Sequence, residues 1–321
     1  SGSAPATVAA VGSMTIPLLI ELGYEKDFST AIVAVAGGLG VIIPPSIPFI
    51  MYAMATGESV SDLFLAGIVP GMMISALLIF YAYYYCRRHG EDREKIQAKM
   101  GQLKAKGFFN ILKESIWALL SPVIVLGCIY TGVASPTEAA VISVFYSLFV
   151  SLFIYRSIKV KQIWGIMVEA MKTYAPILFI LATSTAFSRV LTLMQVPQDV
   201  SAWIMTHFSN EIVLLLVINV VLLIVGMVMD TTPAILILSP ILLPIVEHVG
   251  MNPIHFGVMV IVNLAVGFVT PPVGVNLFVA SSLTNVPMMQ IAKKAMPMIG
   301  YFMLALLLIT FIPAISLCLL S

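Results

Sequence analysis

The stretches Val41-Ile42-Ile43-Pro44-Pro45-Ser46 and Phe268-Val269-Thr270-Pro271-Pro272-Val273 each set a double proline inside a run otherwise apolar enough to be a membrane helix. A helix cannot pass through Pro-Pro, because two amide donors are missing and the rings clash with upstream carbonyls. Inside a bilayer the carbonyls released at such a break must find partners in protein, water or a bound ion. Paired breaks in two halves of a membrane chain are the sequence mark of a transporter's binding site.

The chain around them has 321 residues, of which 60% are hydrophobic and 10% charged, with a mean hydropathy of +1.06. Ordinary soluble domains carry far more charge, so the expected class is an all-α polytopic membrane protein. Long apolar stretches lie at 67–86, 113–132, 137–155, 173–195, 211–229 and 297–319, each near the ~20 residues a bilayer requires. Cys86, Cys128 and Cys318 are scattered, with no pair at metal-ligand or redox spacing, and read as apolar filler. A net charge of +1 argues against a nucleic-acid partner.

Where the charge sits is more telling. Lys and Arg concentrate in 87–113, in Arg156, Lys159, Lys161 and Lys172, and in Lys293 and Lys294. If these clusters are cytoplasmic, the positive-inside rule orients the chain: 67–86 runs inward, 113–132 outward, 137–155 inward and 173–195 outward. The loops left outside, about 56–66, 132–136, 196–210 and 247–255, then hold no Lys or Arg. Arg189 is the one basic residue inside a predicted span.

The two breaks belong to a repeat. At an offset of 227, Pro17 falls on Pro244, Gly23 on Gly250, Gly40 on Gly267, Pro44 on Pro271, Pro45 on Pro272 and Pro70 on Pro297. With 19 prolines in 321 positions, four proline matches at one offset are hard to attribute to chance. One residue of slippage also aligns Ala4-Pro5-Ala6 with Thr232-Pro233-Ala234. Each half reads as a Pro-containing turn, a helix, a Gly, a broken helix and a final span. The charge-derived orientation makes 255–283 cross inward and 27–55 outward, so the halves are expected to be inverted. By that symmetry the hairpin before Pro44 lacks an arm that 211–229 supplies to its counterpart. An N-terminal extension of roughly 100 residues is therefore expected.

Five stretches carry a resemblance: Ser1-Gly2-Ser3-Ala4-Pro5-Ala6-Thr7-Val8-Ala9-Ala10, Gly37-Gly38-Leu39-Gly40-Val41-Ile42-Ile43-Pro44-Pro45-Ser46-Ile47-Pro48, Met229-Asp230-Thr231-Thr232-Pro233-Ala234, Pro253-Ile254-His255-Phe256-Gly257, and Thr270-Pro271-Pro272-Val273-Gly274-Val275-Asn276-Leu277-Phe278-Val279-Ala280. Together they resemble the large membrane subunit of the tripartite ATP-independent periplasmic (TRAP) transporters, the DctM-like family, essentially end to end. The resemblance implies a sodium-coupled secondary transporter in a bacterial or archaeal cytoplasmic (inner) membrane, importing an organic acid such as a C4-dicarboxylate or a sialic acid. It implies an elevator motion, a periplasmic substrate-binding protein as donor and a small four-helix membrane subunit as partner. On that basis 1–56 and 211–290 are expected to form the transport domain. Residues 57–210 are expected to form scaffold, with a cytoplasmic loop at 87–113 and an interfacial amphipathic arm at 158–172, and 291–321 a last scaffold helix.

Sodium is a hard cation that takes oxygen ligands, and a hairpin tip facing a helix break can build an oxygen cage. The expected ligands are Ser1, Ser3, Gly40, Val41 and Pro44 at the first break, and Asp230, Thr231, Gly267 and Thr270 at the second. Ser46, Arg189, Asp230 and Asn276 are expected near the organic anion. Simpler roles stand beside these. Asp230 suits a helix N-cap before Thr-Thr-Pro, Arg189 can snorkel to the outer interface, and Asn263 and Asn276 can satisfy stranded backbone groups. Glu138 after Ser135-Pro136-Thr137 reads as a first-turn helix residue. His89, His207, His248 and His255 lack HExxH spacing and are expected at interfaces, so no metal beyond sodium and no cofactor is expected. A GxxxxGK[ST] loop, GxSxG and paired intramembrane aspartates are all absent, so an enzyme is not expected. The rival readings are a stand-alone sodium/anion symporter and an ion channel, since broken helices also line selectivity filters.

Overall fold

The computed structural model describes residues 2–89, 95–97, 108–196, 199 and 210–320. Every regular element among them is helical. Six are long and apolar enough to cross a membrane: Ala4–Glu21, Val60–Arg88, Pro136–Ile154, Glu211–Val228, Thr231–His248 and Met288–Phe311. The chain is a multi-pass, all-α membrane protein.

The first half comprises α1 (Ala4–Glu21), α2 (Lys26–Ala36), a 3₁₀ turn Gly37–Val41, α3 (Ile47–Thr56) and α4 (Val60–His89). Next come α5 (Phe108–Tyr130), α6 (Pro136–Phe149) with a π-helical turn Val150–Ile154, and α7 (Val160–Leu193). The second half comprises α8 (Glu211–Val228), α9 (Thr231–His248), α10 (Pro253–Gly267), α11 (Val275–Thr284), α12 (Met288–Phe311) and the short α13 (Ala314–Leu317).

The repeat read from the prolines recurs element by element. Shifted by 227, the 4–21 bounds of α1 become the 231–248 bounds of α9. Both helices end in the same way. Gly23 (φ 93°) and Gly250 (φ 81°) occupy the left-handed region that favours glycine. Around the first, Gly23 N–H donates to Ile20 O and Tyr24 N–H to Leu19 O, both at 3.0 Å; around the second, Gly250 N–H donates to Glu247 O at 2.9 Å and Met251 N–H to Val246 O at 3.0 Å. These are two Schellman closures, each satisfying carbonyls that a helix end would strand. Both Pro44-Pro45 and Pro271-Pro272 are cis.

The chain divides into two compact units, Ser1–Asp92 with Thr183–Ser321, and Arg93–Ala182. At the centre of the larger unit lies α10, every residue of which from His255 to Gly267 is buried. A helix apolar on all sides belongs in such a place. The outgoing half-helices are exchanged: α11 lies against α1 and α2 of the first half, and α3 lies against α9 of the second. Tyr52 of α3, fully buried, donates its hydroxyl to Pro253 O at 2.7 Å. In the smaller unit, α5 and α6 pack together, Tyr146 Oη donates to Trp117 O at 2.7 Å, and Ser135 and Glu138 form a capping box at the start of α6. Glu138 is thus the first-turn residue expected.

Three sequence boundaries are corrected. Residues 158–172 and 173–195 are not two separate elements: α7 runs unbroken from Val160 to Leu193. No Gly or Pro lies between 166 and 175, so nothing in the backbone chemistry interrupts the helix at the expected boundary. The last span starts at Met288 rather than 297 and stops at Phe311, before Pro313. The compact units also do not divide at 57 and 291. Helix α12 packs along α2 and α4, the Tyr81 and Tyr301 rings are 5.7 Å apart, and Lys294 pairs with Glu25 at 2.7 Å.

A Cβ on Gly267 would lie 2.3 Å from Gly226 C and 2.6 Å from its Cα and O, so two backbones touch there and neither can yield cheaply. Gly300, in α12, has nothing within 4 Å of such a Cβ. Gly267→Ala is expected to lower stability by about 1–3 kcal/mol, and Gly300→Ala to be neutral or stabilising by up to ~1 kcal/mol. Thermal unfolding of the detergent-solubilised variants, followed by size-exclusion fluorescence, measures both.

Candidate functional site

At the first break the α2 ladder tightens at Gly37, and Leu39 O accepts from Ile42 N at 3.1 Å and Ile43 N at 2.9 Å. Beyond them, the carbonyls of Ile42, Ile43, Pro44 and Pro45 accept no hydrogen bond among the described residues. Ser46 restarts the helix. Its buried hydroxyl donates to Val41 O at 2.5 Å and accepts from Phe49 N at 3.3 Å, so one side chain both bridges the break and caps α3.

The tip of the preceding turn faces this break. Ile47 N donates to Gly2 O at 3.2 Å. Thr7 Oγ1 donates to Ser3 O at 2.8 Å, and a Cβ on Gly40 would lie 2.3 Å from Thr7 Oγ1 and 3.3 Å from Ser3 O. Glycine at 40 is what allows Ser3, Thr7 and the 3₁₀ turn to converge. Of the expected ligands, Ser3 and Gly40 are brought together, Val41 O is bonded to Ser46, Pro44 is buried in the break, and Ser1 lies outside the described residues.

The second break has the same plan with different chemistry. The carbonyls of Val269, Thr270, Pro271, Pro272 and Val273 accept no hydrogen bond among the described residues. Thr270 folds back, its hydroxyl on Val266 O at 2.8 Å and its amide on Gly267 O at 3.0 Å. Asn276 N crosses the break to Phe268 O at 3.0 Å. Helix α8 meets the break through Gly226, which abuts Gly267, and through Met227, whose carbonyl accepts from Val273 N at 3.2 Å.

Asp230 is exposed and caps α9, its Oδ1 accepting from Thr231 N at 2.7 Å. Thr231 is buried and directs its own hydroxyl at the same oxygen, at 3.4 Å. The contact between hairpin and break is therefore made by Gly226 and Met227, with Asp230 and Thr231 one turn further along. Arg189 is exposed on α7 and forms no ion pair with Asp230.

Asn276 is fully buried, and its Nδ2 donates to Ala34 O of the first half at 3.1 Å. Asn263 serves its neighbours: Nδ2 donates to Asn219 O at 2.9 Å and to Asn219 Oδ1 at 2.8 Å. His255 is 1% exposed, with Nε2 3.4 Å from Thr310 O. Sequence reasoning missed Thr7, Gly226 and Met227. Thr7 was findable as the hydroxyl four residues after the N-cap Ser3, and Gly226 as the one glycine in the apolar run 211–228, a mark of close backbone approach. Met227 acts through its carbonyl, which no residue pattern reveals.

Ser46→Ala removes a helix cap, worth about 1 kcal/mol, and strands Val41 O, costing about 1–3 kcal/mol. Ser46→Thr, keeping the hydroxyl, is expected to retain most of that stability. A urea or thermal unfolding series on the three proteins measures the difference.

A family model described as "Tripartite ATP-independent periplasmic transporter, DctM component" matches residues 1–315. Over 315 residues the chain is 45% identical to an isethionate TRAP transporter permease protein, DctMQ, of Oleidesulfovibrio alaskensis, covering 98% of this chain and 49% of that relative. It is 41% identical over 319 residues to a C4-dicarboxylate TRAP transporter large permease protein of Pseudomonas aeruginosa, covering 99% of this chain and 73% of the relative. Against a 2,3-diketo-L-gulonate TRAP transporter large permease protein of Escherichia coli the identity is 36% over 313 residues, covering 98% and 72%. The chain thus spans about half the length of the first of these relatives and under three quarters of the other two.

Proposed function

Because the chain belongs to the DctM family of tripartite ATP-independent periplasmic transporters, we propose that it is the membrane permease part of a sodium-coupled importer of small organic anions. The reading rests on one observation above the rest: two breaks related by the 227 offset each leave a run of carbonyls without protein donors among the described residues, the first facing Gly2, Ser3 and Thr7 at its hairpin tip and the second abutting Gly226 and Met227 on the arm that leads to its tip. Carbonyl oxygens at the end of a helix carry the negative end of its dipole and suit a hard cation. Sodium at the first break would be held by oxygens of Ser1, Ser3, Gly40, Val41 and Pro44, with Thr7 supporting Ser3. At the second it would be held by Gly267 and Thr270, with Asp230 supplying a carboxylate and Thr231 a hydroxyl at the tip.

The relatives are named for isethionate, C4-dicarboxylates and 2,3-diketo-L-gulonate, all small acids. We therefore assign this chain a substrate with one or two acid groups, bound between the breaks and handed over by a periplasmic binding protein. A small membrane subunit completes the assembly in the cytoplasmic membrane. The compact unit of Ser1–Asp92 and Thr183–Ser321 is the candidate moving body of an elevator mechanism, with α4 and α12 travelling with the broken helices.

Asp230 separates charge from capping. Asn caps helices about as well as Asp, so Asp230→Asn is expected to keep thermal stability while lowering sodium-driven uptake at least tenfold. Asp230→Ala is expected to lose uptake and in addition about 1 kcal/mol of stability. The assay is uptake of labelled organic acid into proteoliposomes holding the full-length permease and small subunit, with loaded binding protein outside. Wild-type-like sodium dependence in Asp230→Asn reduces Asp230 to a cap. Full-rate uptake of free substrate without binding protein removes the tripartite assignment, and unitary currents far above carrier turnover replace it with a channel.

A further inference from the structure

Asn276 links the second break to the helix that leads into the first. Its backbone N–H donates to Phe268 O at 3.0 Å across the second break, while its side-chain Nδ2 donates at 3.1 Å to Ala34 O in the last turn of α2, ahead of the 3₁₀ turn Gly37–Val41. Ala34 lies where the helical ladder tightens toward 3₁₀ geometry at Gly37, a change that shifts backbone bonding from four residues to three. There a carbonyl of one half receives a side-chain donor from the other half.

The surroundings leave little play. A Cβ on Gly37 would lie 2.2 Å from Val8 Cγ2 and 3.4 Å from both Ala4 O and Asn276 Nδ2, so α1, α2 and α11 meet at a residue without a side chain. Gly40, against Ser3 and Thr7, is three residues further along the same turn. Asn276 is fully buried, and its Oδ1 has no hydrogen-bond partner. The amide orientation is set by Ala34, because turning it over would oppose two carbonyl oxygens. A buried amide tolerating an unpaired oxygen is costly. What it gains is the link to Ala34.

We propose that Asn276 is a positioning residue that couples the two ion sites, so that a cation at either break raises the affinity of the other. The inference rests on the sodium reading above. A cation ordering the first break holds Gly37–Val41 and with it Ala34 O. Through Nδ2 and the adjoining backbone N–H this holds Phe268 O and the second break. The exchanged packing of α11 against α1 and of α3 against α9 carries the coupling in both directions, as the reciprocity of binding free energies requires. Such a joint would make half-loaded states rare and suppress uncoupled sodium leak.

The test is a sodium titration of the purified full-length permease at constant ionic strength, read as the thermal-unfolding midpoint and as the sodium dependence of uptake. The parent is expected to titrate with a Hill coefficient approaching ~2, since two coupled sites set that ceiling. Asn276→Ala, and Asn276→Leu, which keeps the volume, are expected to fall toward ~1 with half-saturating sodium raised about 5–10-fold. Tyr52→Phe removes a hydrogen bond between the halves that touches neither break, and is expected to keep the parental slope. A merely structural role for Asn276 would lower the sodium-free midpoint and leave the slope unchanged, which overturns the proposal, as does an equal loss of slope in Tyr52→Phe. A parent that titrates with a slope of 1 overturns the coupling while the sodium reading stands. A parent indifferent to sodium overturns both.

Discussion

A peptide carbonyl inside a membrane must be paired, and the molecule is organised around two places where the helix declines to pair it. Pro44-Pro45 and Pro271-Pro272 each end one half-helix, and the next begins only at Ile47 or Val275. Several carbonyls in each gap have no protein donor among the described residues. Everything nearby limits the cost to those few oxygens. Ser46 takes up Val41 O, Thr270 takes up Val266 O, Asn276 takes up Phe268 O, and the Schellman closures at Gly23 and Gly250 settle the ends of the flanking helices.

Close backbone approach is the second requirement. Glycine stands at 40 and 267, equivalent positions, and in each case a side chain would strike the hairpin of the same half: Thr7 and Ser3 in one, Gly226 in the other. Both the contacts and the chemistry differ: Gly40 meets the tip itself, whereas Gly267 meets the arm that leads to it. The first tip offers hydroxyls and backbone oxygens, whereas the second carries the carboxylate of Asp230. Under the proposed sodium reading, one duplicated backbone would give two sites of unequal charge.

Much of this was legible in the chain itself. Prolines and glycines repeat at 227 because they act on the backbone directly, and the apolar runs announce their helices by length alone. Boundaries set by packing were harder to read. The continuity of α7 depends on good helix formers around Lys172 that look amphipathic in isolation, and the inclusion of α4 and α12 in the central unit depends on contacts such as Tyr81 with Tyr301. Within the site, Gly40, Gly267 and Thr270 were readable from their motifs. The role of Met227, a backbone carbonyl on an otherwise ordinary residue, was not, and the burial of His255 depends on Thr310, 55 positions away.

The two breaks are proposed as ion sites formed with their hairpins. Cryo-electron microscopy of the full-length permease with thallium substituted for sodium can locate such ions, because the heavy ion scatters strongly and takes oxygen ligands. Two densities are expected, one beside Ser3, Gly40 and Pro44 and one beside Gly267 and Thr270. Thallium density away from both breaks, or none at either under conditions that support uptake, would contradict the proposal.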